Sequence, residues 1–563
     1  MSALSHFRRG LVPRPAQVEA IGKIEAAFAE GKKVVAFEGP TGCGKSDVAM
    51  AFAQAAKAAG QRTFMLTSQK ILQDQYQADF APPMMETLKG RNAYPCTHYK
   101  ANGADCSSGA PCKKEGKGIL PECALTGRAK QVTMLHASPS DTSCPYWKAV
   151  LIADQADVTC FNFSSFLYQR RLSRFDARDL LVMDECHNAE SQLLNFVELT
   201  LDERDLGEVM VSFDRKLETA KEIGEWVRSQ DLIRKIEKRI EEVEEEIGAS
   251  VTEEVTLGMS IQREVERALS KEQAKLVTEK EILDRLQFKI ELFLSMLPKT
   301  EWVTELEARK TRKGDIYRVL IARPVYAKEF ARELLFASGR RALCCSATIL
   351  DAVVWARNLG LDPNDVEFVR VGSDFPKANR PIKLEYAGSM SWAEKDRTIP
   401  KLVAWVKDVL LPRHKDERGI IHAHSFALAK AIVAGVGSER LLLHESGEDK
   451  REVLARHAER ADSVIVAPAF HEGIDLRDDL SRFQVIAKVP YPSTQDKVIA
   501  LRMKDDPDWY GWLTALKIVQ SYGRSVRSAT DWAVTYIVDE AFESFRRRNG
   551  YLLPGWFKEA IVR

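Results

Sequence analysis

The sequence predicts an α/β protein built on parallel sheets covered on both faces, and three observations carry the prediction. Short uninterrupted apolar runs recur at VVAF, RTFMLTS, DLLVMDE, ALCCSAT, RGIIHAHS, DSVIVAPA, QVIAKVP and AVTYIVD. Helical stretches separate most of them, as parallel strands joined by crossovers require. At 563 residues the chain is also too long for one hydrophobic core, so about three or four domains are expected.

Taken in order, GKKVVAFEGPTGCGKS at 31–46 reads as a buried strand, a glycine-rich turn and a helix start, the helix continuing through DVAMAFAQAAKAAG. RTFMLTS at 62–68 is a second strand with a helix after it. Two segments then break the α/β rhythm. Residues 86–149 are rich in Gly, Pro, Lys and Ser and hold five cysteines. Residues 204–319 are charged and helical: Ile233, Ile236, Ile240, Val243 and Ile247 keep a three-four spacing, as do Ile282, Leu286, Ile290, Phe293 and Leu297. That spacing predicts packed antiparallel helices, either a structural spacer or a working part.

Apolar content of 45% and charged content of 29% are ordinary for a soluble globular protein, and no apolar run is long enough to cross a bilayer. The N-terminal MSALSHFRRGLVPRPAQ lacks the apolar core of a signal peptide, so a cytoplasmic location is expected. In a reducing compartment, clustered thiols point to metal binding or catalysis rather than disulfides. Net charge is only +1, so a nucleic-acid site would have to be a local basic stripe.

Gly39-Pro-Thr41-Gly42-Cys-Gly44-Lys45-Ser46 fits GxxxxGK[ST] between a strand and a helix. Glycines let backbone N–H groups wrap phosphates, the lysine reaches the β and γ phosphates of ATP, and the serine hydroxyl ligates Mg2+. Such a loop needs acidic partners, and LLVMDECH supplies Asp184 for the metal and Glu185 for the attacking water. Hydrolysis also needs positive charge on the γ-phosphate. Gln520, Arg524 and Arg527 in QSYGRSVR have the spacing to share one face of a helix.

These pieces, in this order, resemble a superfamily 2 helicase of the iron–sulfur branch typified by XPD and DinG, and the resemblance covers nearly the whole chain. Arg14 and Gln17 in RPAQ are similar to the family's adenine-side motif, and LTSQKILQDQY resembles the motif after the second strand. LKGRNAYPC resembles the entry to the cluster domain, and DECH stands where relatives mostly carry DEAH. SAT at 346–348, HEGIDL at 471–476 with Glu472 and Asp475, VPYPS at 489–493 and QSYGRSVRSATD complete the pattern.

The resemblance implies two RecA-like P-loop motor domains: the first from 1–85, 150–203 and 320–370, the second from 371–563. It places an Fe–S cluster domain at 86–149 and a helical arch domain at 204–319, both inserted in the first motor. It also implies ATP-driven, 5′ to 3′ translocation on single-stranded DNA, with DNA forks and RNA–DNA hybrids as substrates, no membrane partner and a monomer as the default. Glu472 and Asp475 would couple the ATP and DNA sites. A short arch and compact chain suit a bacterial or phage source. A nucleic-acid-stimulated ATPase that remodels complexes without unwinding, and a zinc-stabilised binding module, are the alternatives.

Five cysteines, Cys96, Cys106, Cys112, Cys123 and Cys144, are separated by nine, five, ten and twenty residues. None of these gaps is the close CxxC pairing of most zinc sites, although zinc stays open. In the family four cysteines hold a [4Fe–4S] cluster. Cys96 after GRNAYP and Cys144 in CPYW resemble the first and last ligands; Cys112 and Cys123 are the choices between them, with Cys106 the alternative. Lys113, Lys114, Lys117, Arg128 and Lys130 can meet phosphates there, and Tyr94, Tyr99, Tyr146 and Trp147 are candidates for stacking on bases. Cys43, Cys160, Cys186, Cys344 and Cys345 read as small buried hydrophobes.

Overall fold

The computed structural model describes residues 2–96, 138–171, 175–213, 217–258, 271–311, 314–445, 447–468 and 476–562. The first sheet opens with β1 (Val34–Glu38), β2 (Thr63–Thr67), β3 (Glu86–Thr87), β4 (Val158–Asn162) and β5 (Arg178–Asp184). The chain then leaves it for β6 (Leu199–Asp202), β7 (Trp302–Lys310) and β8 (Ile316–Pro324). It returns with β9 (Gly339–Ser346) and β10 (Val366–Arg370), giving a parallel sheet in the order β10-β1-β9-β5-β2-β4-β3. Strands β1, β2 and β4 are buried along their whole length, as apolar runs covered by helices on both faces must be.

The second sheet comprises β11 (Ile382–Gly388), β12 (Gly419–His422), β13 (Leu441–Leu443), β14 (Val464–Ala467), β15 (Phe483–Ile486), β16 (Val534–Asp539) and β17 (Ile561–Val562). It too is parallel throughout, ordered β13-β14-β12-β15-β16-β11-β17. Each apolar run singled out in the sequence is a strand of one of these two sheets.

Between β6 and β7 stand the long helices Leu232–Gly258 and Lys271–Met296. Glu237 bonds Gln287 and Glu244 pairs with Lys280, so the two chains run in opposite directions. Ile236, Val243, Ile247, Leu286, Ile290 and Phe293 fill the seam between them. The helical reading of this stretch missed one feature: β6, β7 and β8 form an antiparallel sheet in the order β6-β8-β7. Charged residues in WVTELEARK mask its period-two alternation, because β7 is half-exposed and needs little apolar content.

The two motor halves share one hydrophobic cluster, in which Leu193, Ile349 and Trp355 of the first meet Trp509, Trp512 and Leu516 of the second. Polar groups are matched across this junction. Arg502 is 2% exposed, pairs with Glu190 at 2.6 Å and bonds Asn358 at 3.0 Å. The indole N–H of Trp509 donates to Glu190 at 3.3 Å, and that of Trp512 donates to the Ile349 carbonyl at 2.7 Å.

Tyr94 and Tyr146 meet edge to face with ring centroids 5.6 Å apart, and the Arg91 guanidinium lies 4.7 Å from the centre of the Tyr146 ring. Tyr146 and Trp147 are fully buried on the helix Pro145–Gln155, so they are core residues of the first motor and not platforms for bases. Cys43, Cys160, Cys186, Cys344 and Cys345 are all buried, as read from the sequence.

Candidate functional site

The loop after β1 turns into the helix Lys45–Ala58 through Gly42 and Gly44, both at φ +79°. Only glycine takes that conformation without strain. A side chain at Gly42 would also run into the Arg527 carbonyl and the Phe375 ring, each 2.7 Å from an ideal Cβ. At Gly39 the same atom would stand 2.6 Å from Cys43 Sγ. The loop is braced from outside: Arg14 donates to the Gly42 carbonyl at 2.6 Å and Gln17 to that of Gly44 at 3.2 Å.

Lys45 is buried and donates to the Gly39 carbonyl at 3.1 Å. Burial works against its charge, but Cys43, Glu185 and Asp184 together hold its pKa above the ordinary value. Asp184 ends β5 and accepts from the Tyr76 hydroxyl at 3.1 Å and from the Glu185 N–H at 3.0 Å. Burial and the neighbouring Glu185 push the Asp184 carboxyl up. Glu185, at φ +51°, goes the other way: burial is outweighed by His187, Lys45 and Arg524, which hold it ionised.

His187 joins the two motors. Its Nδ1 lies 2.7 Å from Ser346 Oγ and 3.3 Å from Glu185 Oε2, while its Nε2 lies 2.5 Å from the side-chain nitrogen of Gln520.

Gln520 is in the last turn of the helix Pro507–Tyr522, but Arg524 and Arg527 are not on that helix. It ends at Gly523, where a side chain would come within 2.9 Å of Thr41 Oγ1 in the phosphate loop. The two arginines therefore approach from the turn that follows rather than from a shared helical face. Both still line a cavity of ≈ 420 Å³ with Thr41, Lys45, Ser46, Asp184 and Glu185. Arg477, Arg8 and His187 line it as well.

Sequence reasoning assigned no role to Tyr76, His187, Ser346, Arg477 or Arg8. The first four lie inside or directly after motifs already recognised, which was the available signal; nothing in the sequence marks Arg8. Glu472, Asp475, Cys106, Cys112 and Cys123 lie outside the described residues, as do Tyr99 and the lysines and arginine proposed to meet phosphates.

A family profile described as "Type III restriction enzyme, res subunit" matches residues 10–215, and one for the "Helicase C-terminal domain" matches 412–560. The "ATP-dependent DNA helicase CHL1" of Scheffersomyces stipitis is 23% identical over 215 residues, 33% of this chain and 25% of that protein. Its Candida albicans namesake is 28% identical over 115 residues, 17% of this chain and 13% of that protein. The aligned parts are thus a quarter or less of these relatives' length. Among solved structures, "XPD_Helicase" superposes with a TM-score of 0.60 at 15% identity, over 96% of this chain and 98% of that one. The chain shares the fold of that structure. "Structure of S. tokodaii Xpd4" shares the fold at a TM-score of 0.55 and 13% identity, over 98% of this chain and all of that one.

The chemistry of the cavity suits magnesium: a hydroxyl at Ser46 and a buried carboxylate at Asp184 are hard oxygen donors facing one space. For an iron–sulfur cluster, the described part of the chain offers Cys96 and Cys144 at the two ends of the cysteine segment. Cys96 is half-buried against the core of the helical insertion and Cys144 is buried in the motor core, two positions from the paired Tyr94 and Tyr146. Among the described residues no group of three or more His, Cys, Asp or Glu side chains is placed to hold a metal ion.

Proposed function

We propose that the protein is an ATP-dependent DNA helicase whose hydrolytic site is the cleft between the two motor halves. One observation carries this reading: Lys45, Ser46, Asp184 and Glu185 of the first motor face Arg524 and Arg527 of the second across one cavity. Lys45 and the N–H groups of the loop would hold the β and γ phosphates, and Glu185, kept ionised, would accept a proton from the attacking water. Magnesium held by Ser46 and Asp184 would neutralise phosphate charge. Arg524 and Arg527 would stabilise charge developing on the γ-phosphate. Gln520 reports on the site through His187, so reaction in the cleft is felt by both motors.

Translocation on single-stranded DNA with 5′ to 3′ polarity, action on forks and RNA–DNA hybrids, and a [4Fe–4S] cluster on Cys96, Cys112, Cys123 and Cys144 belong to this proposal and rest on the family likeness. ATPase assays with and without single-stranded DNA, beside strand displacement, test it. Lys45→Ala should eliminate both activities, and a variant that still unwinds DNA with ATP refutes the assignment. DNA-stimulated hydrolysis with no strand displacement by the native protein would replace unwinding with the remodelling of complexes.

A further inference from the structure

Three arginines of the second motor line the cavity: Arg477, Arg524 and Arg527. Arg477 stands on the segment before β15, whereas Arg524 and Arg527 stand on the turn after the helix Pro507–Tyr522. The two segments are stitched together. The Leu476 N–H donates to the Arg524 carbonyl at 3.4 Å, and the buried hydroxyls of Ser481 and Ser525 lie 2.7 Å apart.

A further stitch is Asp531, which closes the QSYGRSVRSATD run and is 2% exposed. Its Oδ2 accepts from the N–H of Arg527 at 3.0 Å and from that of Asp478 at 3.2 Å. Its Oδ1 accepts from the Arg482 guanidinium at 3.0 Å and from the Trp532 N–H at 2.8 Å. Four donors fill the lone-pair positions of the carboxylate, so neither segment can shift without leaving buried charge unsatisfied. Asp478 itself holds φ +54°, a strained conformation for a residue with a side chain, and such strain persists only where surrounding bonds impose it. That backbone turn comes directly after Arg477, so one oxygen atom sets both the neighbour of Arg477 and Arg527.

We propose that Arg477 is a third arginine acting on the phosphates in the cavity, and that Asp531 is the positioning residue that registers it with Arg527. The proposal rests on reading the cavity as the ATP-hydrolysing site. A phosphoryl group in transit spreads negative charge over its oxygens, and a cation fixed in advance stabilises that charge without having to be moved there.

Arg477→Met keeps an unbranched stem and removes the charge. Asp531→Asn keeps the volume but turns an amide NH2 toward one of the two donor pairs. In each, kcat for ATP should fall at least about tenfold. A fluorescent ATP analogue should bind within about threefold of native, while affinity for ADP with aluminium fluoride, which mimics the group in transit, falls in step with kcat. A merely structural role would lower both affinities together. A smaller fall in kcat in either variant overturns the proposal, as does loss of both affinities in Arg477→Met. Should Asp531→Asn lose both, the exposed Asp478 decides: glycine takes a positive φ freely and valine does not, so Asp478→Val must turn over at least about tenfold more slowly than Asp478→Gly. A smaller difference overturns the role of Asp531. A native protein that does not hydrolyse ATP overturns the reading of the cavity and this proposal with it.

Discussion

Replacing Arg502 by Met separates the charge at the motor junction from the packing around it. Met keeps an unbranched apolar stem over Trp509, whose ring centre lies 3.9 Å from the guanidinium, but leaves Glu190 buried with only the Trp509 N–H to satisfy it. Removing one partner of a buried pair costs about 3–5 kcal/mol, because the survivor keeps its desolvation penalty. At the lower bound, and for a cooperative unit of about 200 residues, that is about 6–12 °C in Tm. Glu190→Gln in the same chain removes the uncompensated charge and should restore at least about 2 kcal/mol. The assay is a double-mutant cycle on the first thermal transition. If Arg502→Met costs the same with Gln at 190 as with Glu, the two side chains are not coupled and the reasoning fails.

The pH dependence has a definite sign. Burial raises the Glu190 pKa, opposed by Arg502 and Trp509, so the folded protein binds this proton more tightly than the unfolded chain. The carboxylate's destabilisation is therefore present above the folded pKa and relieved as pH falls through it. Without Arg502 that relief begins at higher pH, so the deficit of Arg502→Met should shrink on acidification from about pH 7.5 to about pH 5.5. Gly42→Ala should abolish nucleotide binding, measured with a fluorescent ATP analogue, because its Cβ meets Arg527 and Phe375 at a positive φ. Cys112→Ser should lower iron and acid-labile sulfide per chain, from about four of each in native protein purified without oxygen. Strand displacement should be lost and nucleotide binding kept; one zinc and no sulfide in the native protein would replace the cluster with a zinc site.

The two sheets were legible because parallel strands buried on both faces must be apolar throughout, and VVAF and LLVMDE announce themselves. The phosphate loop was legible because Gly42 and Gly44 satisfy a backbone requirement that no other residue meets cheaply. β7 and β8 were not, since a half-exposed hairpin carries charge at alternate positions and reads like the charged helices before it. Arg524 and Arg527 were placed in the right cavity for the wrong geometric reason. Helical spacing was extrapolated past Gly523, a residue that both ends the helix and lets the turn rest on Thr41. Tyr146 and Trp147 misled because aromatic residues near lysines suit nucleic acid by composition, and only packing shows which ones face inward.

The contact between Tyr94 and Tyr146 bears on how this protein came to carry its cysteine segment. Bringing two distant points of a chain together costs entropy that grows only slowly with the length between them. Here that cost falls on the motor, whose own aromatic core holds both ends whatever lies in between. Such an anchorage lets the intervening sequence lengthen, shorten or change its cysteine spacing with little penalty to the sheet beneath.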